Sequence, residues 1–73
     1  MDVIVRCTLR DRRLARGLTL RQLEVMSGIH RGTISKYERN MDVMPIDKDV
    51  LFALLLGCKL DDLYSYEMVA GKV

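Results

Sequence analysis

The sequence is poor in the residues that build catalytic and metal sites. It contains one histidine and two cysteines, and Cys7 and Cys58 stand far apart, without the CxxC spacing of a zinc or redox motif. It also has no glycine-rich phosphate loop and no pair of carboxylates in an apolar setting. We therefore expect a protein that is not an enzyme and that holds no cofactor and no metal. Both cysteines are expected to be buried or half-buried free thiols.

Long apolar runs and targeting signals are also missing. No run approaches the roughly 20 residues that span a bilayer. The first residues, MDVIVRCT, lack the basic, apolar and small-residue layout of a secretion signal. We therefore expect a cytoplasmic protein with no membrane partner. The 73 residues are 49% apolar, which predicts one small folded domain over residues 1–73 and argues against a disordered tail.

Each half of the chain carries an excess of one charge. Residues 1–40 have nine basic and four acidic side chains, a net of +5, whereas residues 41–73 have three basic and six acidic ones, a net of −3. The whole chain is only mildly basic at +2, but a polyanion would meet an oriented field. A basic face that is merely solvated would give the same numbers. The motif in the basic half favours the interpretation that this half binds a polyanion.

That motif is LTLRQLEVMSGIHRGTISKYERN, residues 18–40. Thr19 followed by Gln22 is a capping box, which predicts the start of a helix. Gly28 ends this helix, because glycine adopts the left-handed conformation without a steric penalty. The apolar stripe of the helix consists of Leu20, Leu23 and Met26.

A second helix is predicted from about His30 to Arg39, with Ile34 and Tyr37 facing inward and polar or basic side chains on its other faces. Two helices joined by a glycine turn at this spacing form a helix-turn-helix, here over about residues 19–39. A soluble helix face without a partner is the alternative interpretation of the polar side chains.

These residues make the chain similar to the lambda-repressor-like, Cro/cI-type helix-turn-helix proteins, often called the XRE family. The resemblance extends from about residue 9 to residue 63. The matching residues are Leu18, Thr19, Leu23, Gly28, Ile29, Arg31, Thr33, Ile34, Ser35, Glu38 and Arg39. Glu24 departs from the family, which commonly has alanine at this close helix crossing. Leu20 departs as well, since the family commonly has a glutamine there that touches a DNA phosphate.

The resemblance implies an all-α fold, with five helices in a compact domain, and a transcriptional regulator of the repressor type that binds double-stranded DNA. A homodimer would read a palindromic operator by placing two recognition helices in successive major grooves about 34 Å apart. The alternative is a protein-interaction module or antitoxin-like protein. It would keep the fold, bind a toxin or a larger regulator, and have weak or generic affinity for DNA.

The resemblance also assigns roles to individual residues. Those that would read bases are Arg31, Gly32 and Lys36, and arginine is suited to bidentate contact with guanine. Those that would contact phosphates and position the helix are Arg21, His30, Thr33, Ser35, Arg39 and Asn40. Arg13 and Glu38 would form a largely buried ion pair between the first helix and the recognition helix. Two independent surface charges are the alternative for this pair.

The rest of the chain predicts further elements. Residues 8–16 favour a first helix with Leu9 and Leu14 inward, and Asp47 is the predicted N-cap of a fourth helix. By resemblance, residues 59–63 would form a fifth helix. Residues 3–5 form either a brief edge strand or the entry into the first helix. Residues 64–69 alternate like a strand that could pair with residues 3–5, within or between chains, so short terminal strands are included in the predicted fold.

The fourth helix is more apolar than one buried face requires. Residues 50–56 are all apolar, whereas a one-faced helix needs apolar side chains at only about three of seven positions. The excess, together with the apolar loop before the helix, predicts a second buried surface, most simply a homodimer interface. The residues predicted for this surface are Met41, Val43, Met44, Leu51 and Leu55.

Overall fold

The computed structural model describes residues 2–70, and within this range the chain is mostly helical. The elements, in chain order, are β1 (Asp2–Cys7), α1 (Leu9–Ala15), α2 (Leu20–Ser27), α3 (Arg31–Glu38), α4 (Ile46–Leu56), a single 3-10 turn (Leu60–Leu63) and β2 (Tyr64–Val69). No helix in the described part of the chain is long and apolar enough to cross a membrane.

One core joins the helices and the 3-10 turn. Each of these five elements contributes one fully buried side chain, and these are Leu9, Leu23, Ile34, Phe52 and Leu63. Burying an aliphatic or aromatic side chain of this size contributes roughly 1.5–3 kcal/mol. The core therefore fixes α2 and α3 against α1 and α4, which leaves the opposite face of α3 free for contacts with other molecules.

The prediction of five helices was wrong, because residues 60–63 form only one 3-10 turn. The C-cap Gly57 ends α4 in the left-handed conformation, and β2 already begins at Tyr64. This leaves room for one turn between the two elements. The Lys59 N–H donates to Oδ2 of Asp62 at 3.0 Å and closes that turn.

The first helix turns a different face inward than predicted. Leu9 is fully buried, but Leu14 is 53% exposed, so the predicted inward position of Leu14 was wrong. Residues four apart lie on the same face of a helix. Arg13 therefore lies beside Leu9 and is buried, whereas Leu14 falls outside that face.

The loop between α3 and α4 folds back onto the body of the protein. The N–H groups of Met41 and Asp42 both donate to the carbonyl of Lys36, at 2.9 and 3.4 Å. Met44 consequently packs into the core with 6% exposure, which contradicts its predicted place on a dimer surface. Met41 and Val43 remain exposed.

The fourth helix begins earlier than predicted. Its N-cap is Pro45, whose carbonyl accepts from the N–H groups of Lys48 and Asp49 at 3.0 Å each. The prediction of Asp47 as the N-cap was therefore wrong, since Asp47 lies inside the first turn. Leu51 and Leu55, predicted for the dimer surface, are half-buried by their own chain.

The two strands form one antiparallel sheet, which we call the terminal ribbon (residues 2–7 and 64–69). Its register pairs Asp2 with Val69 and continues residue by residue to Cys7 opposite Tyr64. The predicted pairing of these segments is thus present, within one chain. The described Cα atoms extend 47 Å along their longest axis but only 22 and 20 Å across it, so the molecule is elongated.

Candidate nucleic-acid interface

A capping box and a left-handed glycine fix the start and the end of α2. The Gln22 N–H donates to Oγ1 of Thr19 at 3.1 Å, and the Thr19 N–H donates to Oε1 of Gln22 at 2.8 Å. Gly28 has φ of 74° and caps α2 by donating to the carbonyl of Glu24 at 2.8 Å. Ile29 is half-buried against the core beyond the glycine. The turn between α2 and α3 is therefore fixed by the Gly28 cap at the end of α2 and by the packing of Ile29 against the core.

His30 caps the N-terminus of α3. Its Nδ1 accepts from the N–H of Gly32 at 2.9 Å, so the ring proton is on Nε2, which remains a donor. A Cβ on Gly32 would lie only 3.0 Å from the same Nδ1. Gly32, predicted to let the backbone approach a base, thus also makes room for the capping ring.

Glu24, which departs from the family pattern, connects α2 to the start of α3. Its Oε1 accepts from the Arg31 N–H at 3.3 Å and lies 4.0 Å from Nη1 of Arg31. The side chain of Arg31 is 52% exposed and that of Glu24 is 31% exposed. The carboxylate therefore stabilises the helix N-terminus and at the same time puts a negative charge beside a predicted base-reading residue.

The face of α3 that points away from the core is polar and basic. The three predicted base-reading residues, Arg31, Gly32 and Lys36, are all exposed, as is Arg39. Ile34 and Tyr37 are buried on the opposite face. Of the predicted phosphate contacts, Thr33 and Ser35 are half-buried, whereas Arg21 in the first turn of α2 is exposed.

Asn40 has a structural role that the sequence did not reveal. It adopts φ of 58°, a left-handed conformation that asparagine tolerates better than most residues. Its Oδ1 accepts from the N–H of Cys7 at 2.8 Å. Only the amide nitrogen of this side chain remains for the predicted phosphate contact. The residue thus anchors β1 to the C-terminal end of α3.

Arg13 and Glu38 form a bidentate ion pair between α1 and α3. Nε of Arg13 donates to Oε2 of Glu38 at 2.8 Å, and Nη2 donates to Oε1 at 3.1 Å. Nη1 of Arg13 donates to the carbonyl of Leu18 at 2.7 Å. The side chains are only 8% and 4% exposed. The hydrogen bonds to Glu38 raise the pKa of Arg13 above its usual value, although burial acts in the opposite direction.

The cysteines do not form a reactive or metal-binding group in the described part of the chain. Cys7 and Cys58 are free thiols and half-buried. Burial raises the pKa of both thiols, which disfavours the nucleophilic thiolate. Among residues 2–70 no group of three or more histidine, cysteine or acidic side chains is arranged to hold a metal ion.

Comparison with known protein families identifies this arrangement. A family model described as Helix-turn-helix matches residues 9–63, which is three quarters of the chain. The chain belongs to the Cro/cI-like, XRE-type helix-turn-helix family. No curated protein matches it.

Membership of this helix-turn-helix family makes the chain a DNA-binding regulator, in a family that is generally non-enzymatic. In the helix-turn-helix, α2 and α3 are the two helices of the motif, and the second helix is the one that enters the major groove. The family match covers all four α-helices and the 3-10 turn, but it leaves both strands of the terminal ribbon outside.

Proposed function

We propose that this protein is a transcriptional repressor that reads a palindromic operator with the exposed face of α3. The observation that carries the proposal is the position of Arg31, the first residue of α3. Its side chain is 52% exposed, and its one ion pair among residues 2–70 is a long contact of 4.0 Å with a carboxylate oxygen of Glu24. An arginine at the start of a recognition helix can donate two parallel hydrogen bonds to the edge of a guanine.

The other residues of this face have complementary roles in the proposal. Lys36 lies further along the exposed face and reads a second base position, while Gly32 lets the helix backbone approach the groove. Arg21 and Arg39 contact phosphates and set the height of the helix in the groove, without reading sequence. Nε2 of His30 is a further donor for a phosphate, because Nδ1 is engaged by the helix cap.

The mechanism of repression is steric. A homodimer places two α3 helices in successive major grooves, about 34 Å apart, and its bulk covers the DNA that polymerase needs. The two-fold axis of the dimer coincides with that of the operator. A cytoplasmic location follows from this role.

A protein-interaction module remains the second candidate, and a stripe on α4 favours it. Ile46, Val50 and Leu54 follow one another at intervals of four residues and are 69%, 39% and 76% exposed. Such an apolar stripe is typical of a surface that a protein partner covers. A toxin or a larger regulator bound there would leave the α3 face with generic affinity for DNA.

Selection from a library of random duplexes tests the proposal. Enriched sequences are expected to be palindromic, and fluorescence anisotropy should then give binding about a thousandfold tighter than to scrambled duplex. Lys36→Ala should change the enriched sequence at one position in each half-site. Lys48→Ala removes the same charge from α4 and should leave the sequence unchanged.

Two results would contradict the proposal. If no sequence is enriched and all duplexes bind equally with a steep salt dependence, the basic face is a generic contact for polyanions. If no DNA binds at low salt, while a partner protein binds and Leu54→Glu abolishes that binding, the interaction module is the correct function.

A further inference from the structure

The terminal ribbon exposes an apolar face that nothing in the described chain covers. Val3, Val5, Tyr66 and Met68 are 59%, 55%, 64% and 67% exposed. They lie on one face, because the register pairs Val3 with Met68 and Val5 with Tyr66. A two-stranded sheet is marginally stable by itself, and its stability rises with further strands.

The outer edge of β1 is open to a further strand. The Thr8 N–H donates inward to the carbonyl of Leu63, whereas the Cys7 N–H donates outward to the side chain of Asn40. Since inward and outward backbone groups alternate along an antiparallel strand, the N–H and C=O groups of Val3 and Val5 point away from β2. Asn40 closes this edge at Cys7, so the open part is residues 2–6.

Only one self-pairing of this edge uses all its residues and matches its charges. A second copy of β1, placed antiparallel with a two-fold axis at Ile4, sets Val3 opposite Val5 of the copy. Both residues then present outward backbone groups to each other, as the hydrogen-bonded pairs of a ladder must. The same register sets Asp2 of each copy opposite Arg6 of the other copy, which gives two pairs of opposite charge. Such cross-strand pairs stabilise a sheet.

Other registers lack these features. An axis at Val3 or Val5 sets Asp2 or Arg6 opposite Ile4 and leaves the charges without partners. An axis at Val5 also requires the Cys7 N–H, which Asn40 already occupies. The described β2 contains one charged residue, Glu67, so no self-pairing of β2 can bring opposite charges together.

We infer that β1 pairs with β1 of a second copy of this chain, forming a four-stranded sheet across the two-fold axis. The pairing joins the two terminal ribbons side by side, so their apolar faces form one continuous surface. On each protomer this surface continues into Met41 and Val43, which border the same groove as Val5 and Tyr64. Two of the residues predicted for a dimer surface thus lie beside the inferred interface.

The pairing deepens the proposed function, since it rests on the protein acting on DNA as a two-fold dimer. At roughly 3.4 Å per residue, the two Cys7 residues would lie about 20 Å apart along the sheet. Each is bonded to Asn40, two residues beyond the end of its own α3. The sheet would therefore hold the two recognition helices at a fixed separation, which half-site spacing on an operator requires.

Sedimentation velocity without DNA tests the inference. The wild-type protein should be a dimer, and Ile4→Lys should be a monomer, because it places two ammonium groups face to face on the axis. Within one protomer the same substitution faces Glu67, the register partner of Ile4. The ribbon should therefore stay folded, which circular dichroism checks. Ile46→Lys makes the same change on the exposed stripe of α4 and should leave the dimer intact.

Charge reversal gives an independent test of the register. Asp2→Arg and Arg6→Asp should each raise the dimer dissociation constant at least about tenfold, because like charges then oppose each other at two positions. The double variant Asp2→Arg, Arg6→Asp restores opposite charges and should dimerise nearly as well as the wild type. Rescue would attribute the loss in the single variants to the charge mismatch, and circular dichroism of each single variant checks that it folds.

Several results would overturn the inference. In the sedimentation experiment, these are a wild-type protein that is monomeric at every concentration tested, an Ile4→Lys variant that remains dimeric, or an Ile46→Lys variant that dissociates. In the charge-reversal experiment, it is a double variant that dimerises no more tightly than the single variants. DNA binding is measured separately. If Ile4→Lys dissociates the dimer but no variant or wild type binds any duplex specifically, the proposed function fails and the ribbon interface stands.

Discussion

Arg13 occupies a core position next to Leu9, where a purely apolar residue would be the simpler choice. The bidentate pair with Glu38 and the bond to the Leu18 carbonyl satisfy the guanidinium there. An ion pair of this kind adds little net stability when intact, but removing one partner leaves a buried charge unpaired. The pair thus fixes the position of α3 relative to α1 more than it strengthens the fold.

Arg13→Ala should therefore destabilise the protein strongly, by roughly 3–5 kcal/mol in the free energy of unfolding. Arg12→Ala is the matched control, since Arg12 is the neighbouring residue and its pair with Asp62 is 46% and 36% exposed. Exposed pairs contribute only about 0–1 kcal/mol. Urea denaturation followed by circular dichroism measures both. Similar losses of unfolding free energy in the two variants would show that removing Arg13 leaves no costly unpaired charge in the core.

Arg31 begins α3 and Arg39 is its C-cap. Both residues are exposed, yet they have different roles in the proposed function. Arg31→Ala should cost about 1–3 kcal/mol of binding free energy on the cognate operator and relax the preference at one base pair. Arg39→Ala should weaken specific and non-specific DNA about equally and reduce the salt slope by about one. Anisotropy titrations on cognate and single-base variant duplexes separate the two. Identical behaviour of both variants would contradict the division into base and phosphate contacts.

Some of these residue roles could not be predicted from the sequence. The buried pair and the exposed α3 residues lie at positions that the family resemblance indicates. The bond from the Cys7 N–H to Asn40 depends on the fold, because the two residues are 33 positions apart. The contact of Glu24 with Arg31 was missed for a related reason, as it depends on how closely α2 approaches the start of α3.

At the scale of elements, Glu24 connects the two helices of the motif, and we expect its charge to weaken DNA binding. Its carboxylate accepts the Arg31 N–H and lies near the Arg31 guanidinium. Glu24→Gln retains an oxygen for the N–H but removes the negative charge and releases the guanidinium. Two unit charges about 4 Å apart in water interact by about 1 kcal/mol. The substitution should accordingly raise the affinity for all duplexes about fivefold at low salt.

Asp61→Asn is the control for this prediction, because it removes the same charge in the acidic half of the chain, on the 3-10 turn. Anisotropy at two salt concentrations should show a clear gain for Glu24→Gln and little change for Asp61→Asn. A loss of affinity in Glu24→Gln would mean that the carboxylate is needed to orient Arg31 toward its base, and the prediction would be wrong.

The elements themselves were predictable where local chemistry defines their ends. The Thr19–Gln22 box and Gly28 set the limits of α2, since each acts within one helical turn. Prediction failed where the tertiary structure decides. Leu14 and Asp47 are suitable residue types for a core position and an N-cap, but α1 presents Arg13 inward and Pro45 is the N-cap of α4. The outward stripe of α4 was likewise hidden in a run of apolar residues.

At the scale of the whole molecule, one buried group opposes the stability of the fold. Asp49 on α4 is 3% exposed, and its Oδ1 has no hydrogen-bond partner among residues 2–70. Burial raises the pKa of this carboxyl above its ordinary value of 3.8, because the charged form loses its solvation. The folded state therefore binds a proton more tightly than the unfolded state does.

The sign of the pH dependence follows from this raised pKa. The favourable contribution of the protonated Asp49 carboxyl to the free energy of unfolding is fully present below the unfolded-state pKa. It is lost as the pH rises through the folded-state pKa. Above the folded-state pKa the buried carboxylate is ionised and destabilises the folded protein. Asp49→Asn removes the charge at nearly the same volume, so it should stabilise the protein at pH 7 by on the order of 1 kcal/mol, because burying an ionised carboxylate costs more than burying a neutral amide. The gain should shrink as the pH falls toward 3.8.

Thermal unfolding of both proteins across this pH range isolates Asp49, because all other titrating groups are shared and their effects cancel in the difference. A gain of about 1 kcal/mol corresponds to roughly 4–8 °C in the midpoint for a domain of this size. Asp47→Asn is the control, since Asp47 lies in the same first turn with a side chain that is 71% exposed. That variant loses a favourable interaction with the helix dipole and an exposed ion pair with Lys48 at 3.5 Å, so it should be slightly less stable at pH 7. If Asp49→Asn raises the unfolding midpoint equally at pH 4 and pH 7, ionisation of Asp49 is not what destabilises the wild-type protein.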